Sequence, residues 1–342
     1  MRNRVIGGEF ELTVIPNVKA KSTGFYSYAS GRTALYQILK SIKLTTLKVW
    51  LPDWLCESMI DAVKRAGIDY RFYSLNCNLQ MDVTKFVEKN RPISENDAIV
   101  LVNYFGLVDV NQTIAELSSL KVHSIIIEDD VQALFSFLNE NHTADYCFTS
   151  LRKSIAAPDG GLVRTKYDMP QVTATNTFSV HKLQGAMIKG AANENTDDNV
   201  YLTHFIQGED LIENNYESVM SDEATRIFID TDFQTVAQKR KENAKYLQAE
   251  LLKLGIKPIL PITENKTPLF VPIMVNNRDE IRKGLMKHGI FCPVHWPLRE
   301  DMKRLPMGTV MAEKELSIVI DQRYGIDDMN SIIEILGKTI CK

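Results

Sequence analysis

Lys153 stands in a short stretch, DYCFTSLRKSIAAPDGG (145–161), with an apolar run before it (Tyr146 to Phe148) and another after it (Leu162 and Val163). The turn Pro158-Asp159-Gly160-Gly161 separates the lysine from the second run, so strand, lysine loop, tight turn and strand are expected. A lysine held between two buried strands is expected to be partly desolvated, and desolvation favours the neutral amine, a nucleophile toward carbonyls. A solvated loop lysine is the ordinary alternative. Three further features bear on the choice. Asp129 ends an apolar run 24 positions earlier, Ser30-Gly31-Arg32-Thr33 opens a helical pattern, and Trp54 follows a strand end and a Pro-Asp break. An amine, a carboxylate, helix-start amides and an aromatic ring are what a pyridoxal 5'-phosphate site requires. The lysine forms the Schiff base, the carboxylate keeps the pyridine nitrogen protonated, the amides take the phosphate and the ring covers the pyridine.

The elements that must position these groups alternate along the chain. Ala34, Leu35, Ile38, Leu39 and Ile42 share one helical face after Ser30-Gly31. Leu47 to Leu51 reads as a strand. Leu55, Met59, Ala62, Val63 and Ala66 form a helix face closed by Gly67. Tyr70 to Leu75, Ile99 to Tyr104 and Ser124 to Ile127 read as strands, with a helix marked by Ile114 and Leu117. Such alternation predicts an α/β domain, a mostly parallel sheet covered on both faces, whose ligands lie beyond the carboxyl ends of the strands. Asn103, the cluster Glu128–Asp130 and Lys153 fall at or just beyond such ends. Residues 166–230 show no clean period. A long helix follows from Phe233 to Leu254, with Val236, Arg240, Ala244, Leu247 and Leu251 in register and Gly255 at its end. Leu269 to Val275 and Leu316 to Ile320 read as strands, Ile281 to Lys287 and Met329 to Leu336 as helices. The expected division is a large α/β domain over 1–230 and a small α+β domain over 231–342.

Composition narrows the class of partner. The net charge is −3 with no long basic run, which argues against nucleic acid or an anionic membrane as partner. The five cysteines (Cys56, Cys77, Cys147, Cys292, Cys341) include no C-x-x-C pair, which argues against a zinc site or a disulfide framework. No metal is expected. The N-terminus lacks a signal-like apolar segment, and no apolar run approaches the roughly 20 residues of a membrane span. A cytoplasmic protein acting on small molecules is the expectation.

Four segments resemble the DegT/StrS-type family of pyridoxal-phosphate-dependent sugar aminotransferases, of fold type I. SGRTAL (30–35) resembles its phosphate loop S-G-T-x-A-L, and LVNYFG (101–106) its V-H-x-x-G strand. IEDDVQA (127–133) resembles I-E-D-A-A-Q/H-A, and SLRKSIAAPDGG (150–161) the lysine segment that ends in E-G-G. Order and spacing match over about half the chain, and RKENAKYL and HGIFCPVHWPL resemble the small domain. The resemblance implies Lys153 as Schiff-base lysine and proton shuttle and Asp129 as partner of the pyridine nitrogen. It implies Gln132 near the phenolic oxygen, Gly31, Arg32 and Thr33 in the phosphate loop, and Ser150 as the serine ligand. It also implies a homodimer with sites near the subunit boundary. The family's stacking aromatic falls two positions after Trp54, at Cys56. The lysine loop is about two residues short, Asp159 replaces a glutamate, and the family's G-x-N-x-R-M segment is not recognisable within 166–230.

The activity so implied is transfer of an amino group from an amino acid, with glutamate as donor, to a keto group of a nucleotide-linked sugar, in polysaccharide or secondary-metabolite synthesis. The alternatives are a pyridoxal-phosphate-dependent sugar dehydratase, against which Lys153 speaks because that branch carries histidine there, and a non-catalytic binding protein that retains the fold. One further candidate is Arg323, in SIVIDQRYG (317–325) at a strand end facing the expected cleft. Its planar fork suits a substrate carboxylate or phosphate, or it pairs with Asp321 and braces the turn.

Overall fold

The computed structural model describes residues 5–139, 141–298 and 305–340. Its strands are β1 (Ile6–Gly7), β2 (Tyr26–Tyr28), β3 (Lys48–Pro52), β4 (Asp69–Tyr73), β5 (Ala98–Val102), β6 (Ile125–Asp129), β7 (Tyr146–Ser150), β8 (Gly161–Thr165), β9 (Phe270–Met274), β10 (Ile290–Phe291) and β11 (Glu315–Val319). Seven of them form one sheet in the order β2-β8-β7-β6-β5-β3-β4. Strands β3 to β7 are mutually parallel, and β8 runs antiparallel to both of its neighbours. All five residues of β5 and of β7 are buried, which is why AIVLV and YCFTS read as unbroken runs and not as alternation.

Helices cover the sheet where the apolar periodicity places them. In α1 (Gly31–Ile42) Ala34, Leu35, Ile38, Leu39 and Ile42 are buried. In α2 (Glu57–Ala66) Met59, Ala62, Val63 and Ala66 are buried, and Gly67 ends the helix at φ +69°. The helices α3 (Val83–Asn90), α4 (Val110–Ser119) and α5 (Leu134–Asn139) complete this part, with α3 and α5 not foreseen. Residues 166–230 hold three helices, α6 (Phe178–Gly190), α7 (Asp198–Ile212) and α8 (Asp222–Asp230). Periodicity missed α6 and α7 because they pack on each other and leave apolar residues in water, with Val180 54% and Ile206 61% exposed.

The C-terminal part packs α9 (Phe233–Lys253), α10 (Arg278–Met286) and α12 (Ile326–Ile340) on the antiparallel pair β9–β11, with α11 (Pro306–Lys314) at its edge. Its core contains Leu247, Leu251, Val271, Ile318 and Leu336, and also Ile6, because β1 pairs in parallel with β10. The first described residues thus lie against the C-terminal part. Among the described residues no helix is long and apolar enough to cross a membrane, and Cys56, Cys77, Cys147 and Cys292 are free thiols. Cys341 lies outside the described residues.

Candidate active site

A cavity of about 160 Å³ lies beyond the carboxyl ends of β5, β6 and β7 and in front of the α1 N-terminus. Gly31, Arg32, Asp129, Gln132, Ser150 and Lys153 all line it, with His295 and Trp296 on the C-terminal side.

The α1 N-terminus is built for close approach. Ser30 caps the helix, its Oγ accepting from the Thr33 amide at 3.1 Å. The Gly31 and Arg32 amides, in the first turn, are left without an intrahelical acceptor. A Cβ on Gly31 would lie 2.9 Å from Val131 Cγ2, and one on Gly161 would lie 2.1 Å from the Ser30 carbonyl oxygen. Gly160 takes φ +113° and donates to the Ala29 carbonyl at 2.8 Å. The two glycines of PDGG therefore let β8 lie directly under the start of α1. The Arg32 Nε is buried without a partner, and the Ser150 side chain faces the same space. Thr33 does not line the cavity: it is fully buried, and its hydroxyl donates to the Asn215 carbonyl at 3.0 Å.

Asp129 and Asp130 end up in different surroundings, as alternation along a strand requires. Asp129 faces the cavity and accepts from the Val131 amide at 2.8 Å. Among the described residues it has no cationic partner, and burial, with a smaller push from Glu128, raises its carboxyl to about 7. Asp130 points away. It accepts from Asn103 Nδ2 at 3.0 Å and from the Cys147 thiol at 3.1 Å. Beside it the His142 Nδ1 lies 2.8 Å from Glu128 Oε2, while its Nε2 is 3.1 Å from the Ser136 carbonyl. That buried network backs β6 from behind. Gln132 Oε1 accepts from the Phe105 amide at 3.0 Å, which leaves the Gln132 amide N–H donors for the cavity.

Lys153 closes the short 3-10 turn Leu151–Lys153 that follows β7. Its side chain reaches the cavity, but the residue is exposed, contrary to the expected desolvation: the turn lifts it out of the sheet to the cavity mouth. Arg152 beside it is largely buried and pairs with Glu209 of α7 at 2.7 Å. Lys182 of α6 joins that carboxylate and Glu9. Asp159 anchors the otherwise illegible segment, accepting from the Ser221 amide at 2.9 Å, the Ser221 hydroxyl at 2.8 Å and Asn176 Nδ2 at 2.5 Å.

Besides Thr33, two candidates lie elsewhere. Trp54 is fully buried, stacks on Tyr104 with ring centroids 4.9 Å apart, and donates to the His295 carbonyl, so its ring is core and Cys56 lines the cavity instead. Arg323 is braced. Its Nε and Nη2 both bond Asp321, Nη1 bonds Glu11 and the Glu9 carbonyl, and Nη2 also bonds the Gly8 carbonyl. All five donors are engaged, which is the bracing alternative extended to the N-terminal segment.

Pattern reading missed Arg240 and Gln322. Arg240 Nη2 and Gln322 Nε2 both donate to the Ser154 carbonyl, at 3.2 and 3.0 Å, fixing the turn that carries Lys153. The signal was present, since Arg240 falls on the apolar stripe of α9.

No family model matches the chain, and no curated protein matches it. Solved structures do. Spr1654 of Streptococcus pneumoniae, described as a sugar aminotransferase and solved in its PLP form, superposes with a TM-score of 0.69 at 16% identity, over 97% of this chain and 93% of that one. A DegT/DnrJ/EryC1/StrS aminotransferase from Brucella abortus gives 0.67 at 16% identity, over 93% and 87%. The sugar aminotransferase CalS13 from Micromonospora echinospora gives 0.64 at 17%, over 92% and 86%. At such identities the likeness is one of fold, and the fold is that of fold type I transferases.

Proposed function

We propose that the protein is a pyridoxal-phosphate-dependent sugar aminotransferase. The observation that carries this reading is the meeting of Lys153, Asp129, Gln132 and the open α1 N-terminus in one cavity. The residues fit the cofactor. Among the described residues Asp129 is a buried carboxylate facing the cavity with no cation paired to it, and Arg32 Nε is a buried donor without a partner. Bound there, pyridoxal phosphate would supply an electron-accepting ring and an aldehyde that carries the amino group between substrates.

The chain's own residues divide the remaining work. Asp129 would face the ring nitrogen, where a protonated ring would restore the carboxylate that burial disfavours. The Gly31 and Arg32 amides and Ser150 would hold the phosphate. Gln132 would offer its N–H donors to the ring oxygen. Lys153 Nζ, at the cavity mouth, would hold the cofactor and would be the amine placed to move a proton during the reaction. The balanced outcome is amino acid plus keto sugar giving 2-oxo acid plus amino sugar. Glutamate as donor and a nucleotide-linked keto sugar as acceptor belong to this proposal, on the strength of the motif resemblance. So do a cytoplasmic location and a homodimer, the latter supported by the exposed Lys153 and by the apolar residues Val180 and Ile206 that α6 and α7 leave uncovered.

The test is reconstitution with pyridoxal phosphate. The protein should gain the visible absorbance of a lysine-bound cofactor, borohydride should fix the cofactor to Lys153, and glutamate should bleach the band with release of 2-oxoglutarate. Lys153→Ala should lose the band with its melting temperature kept. Full transaminase activity in that variant would refute the assignment.

A further inference from the structure

A second cavity, of about 380 Å³, opens beside the first and shares Arg152, Lys153 and Leu269 with it. Its other walls come from Gly7–Phe10 and from the C-terminal part. Five cationic side chains line it (Arg152, Lys153, Arg240, Arg282 and Arg323) against two carboxylates, Glu9 and Asp321. The carboxylates are spent, Glu9 on Lys182 and Asp321 on Arg323. Arg152 and Arg323 are likewise spent, on Glu209 and on the N-terminal brace.

Two cations remain. Arg240 is 1% exposed, and its guanidinium bonds only neutral acceptors: Gln322 Oε1 at 3.0 Å, the Leu269 carbonyl at 3.1 Å and the Ser154 carbonyl at 3.2 Å. Burial lowers its pKa to about 10, with Asp321 opposing the fall and Arg323 adding to it. A buried charge compensated this weakly raises the potential of the space next to it. Arg282, on α10, is half-buried. Its Nε donates to the Cys292 carbonyl at 3.0 Å, which sets the plane of the fork, and among the described residues its two Nη groups have no partner. An oriented, unspent guanidinium in a positive cavity is a two-point oxyanion receptor.

We propose that this cavity is a substrate subsite in which Arg282 takes an oxyanion of the molecule whose reacting carbon lies at Lys153, with Arg240 as the buried charge behind it. The inference rests on the aminotransferase reading above. Two sources can supply the group, the carboxylate of the amino-acid donor or the diphosphate of the sugar nucleotide. The neighbouring Arg323, suggested by sequence for this task, has no donor left for it.

The experiment uses the full chain loaded with pyridoxal phosphate, as wild type, Arg282→Gln and Arg282→Lys. Glutarate and inorganic pyrophosphate serve as probes by calorimetry, and KM is measured separately for donor and for acceptor. Loss of one charge-assisted fork should weaken one probe, and raise the matching KM, by about tenfold or more. Arg282→Lys should recover only part of that loss, and the cofactor absorbance should be unchanged in both variants. Weakened glutarate identifies the donor carboxylate, and weakened pyrophosphate identifies the diphosphate. Both probes and both KM values within twofold of wild type, with cofactor bound, would overturn the subsite. If instead no variant takes up the cofactor, the functional reading fails. Probe binding that Arg282→Gln abolishes would then still establish the oxyanion receptor.

Discussion

Asp129→Asn should make the cofactor-free protein more stable and abolish the proposed transaminase activity, with the gain dependent on pH. In the folded chain the Asp129 carboxyl sits at about 7 against an ordinary 3.8, because burial penalises the charge and Glu128 adds to it. The native state therefore keeps a proton that the unfolded chain gives up near pH 4. Between those values the folded protein binds more protons, so this group's contribution to stability falls as pH rises from about 4 to about 7 and stays at its low level above. At about 1.4 kcal/mol per pH unit the buried charge costs about 4 kcal/mol at pH 8. Asparagine removes that cost and keeps an acceptor for the Val131 amide, whose favourable effect on the charge is already contained in the raised value. The expected gain is about 4 kcal/mol at pH 8, vanishing near pH 4. Urea unfolding of both proteins at pH 4.5, 6 and 8, followed by circular dichroism, measures the difference while titrations common to both cancel. Loading the cofactor should reverse the order, because only the carboxylate answers a ring cation. A gain equal at pH 4.5 and 8, or absent at both, would show that Asp129 is not a buried unpaired charge and would remove the structural basis for its assigned role.

Other substitutions probe the scaffold around that carboxylate. Asp130→Asn should reduce activity far less than Asp129→Asn in the steady-state assay, because Asp130 faces Asn103 and Cys147 and not the cavity; the reverse order would mean the strand register is misassigned. Gly161→Ala should lower stability by about 1–3 kcal/mol and weaken phosphate binding, since its Cβ would lie 2.1 Å from the Ser30 carbonyl and push the α1 start off β8; an unchanged melting temperature and cofactor affinity would deny that contact. Arg323→Lys keeps the charge but gives up the five-donor brace, so about 2 kcal/mol of stability should go while kcat and both KM values hold; altered KM with full stability would return Arg323 to the substrate site.

What the sequence made legible follows from which residues are buried on how many sides. Strands β5 to β7 are buried on both faces, so they appear as apolar runs, and their carboxyl ends place Asp129, Ser150 and the Lys153 turn without knowledge of any contact. The face of α1 and its Ser30 cap are equally visible, since capping is local chemistry. Helices α6 and α7 were hidden because they share their apolar residues between each other and solvent, which erases the stripe. Trp54 and Lys153 were misjudged for one reason: a sequence shows a residue's type but not its direction. Two positions separate a ring stacked on Tyr104 from the cavity wall at Cys56, and a single 3-10 turn separates a buried lysine from an exposed one.

Arg240 carries the deeper lesson. A charged residue on the apolar stripe of α9 violates the helix pattern, and a violation of pattern is itself a signal. Burying that guanidinium without a bonded carboxylate is costly, so its retention needs a return. The structure supplies one, a clamp on the Ser154 carbonyl shared with Gln322. The same guanidinium holds the Leu269 carbonyl, while the Leu269 amide donates to the Phe105 carbonyl at 2.9 Å and the Phe105 amide to Gln132. A continuous chain of hydrogen bonds thus runs from the lysine turn through the C-terminal part to the residue assigned to the cofactor's ring oxygen. Movement of α9 relative to the sheet would therefore act on Lys153 and Gln132 together. That coupling is a reason for a sequence to keep arginine where leucine would pack with less penalty.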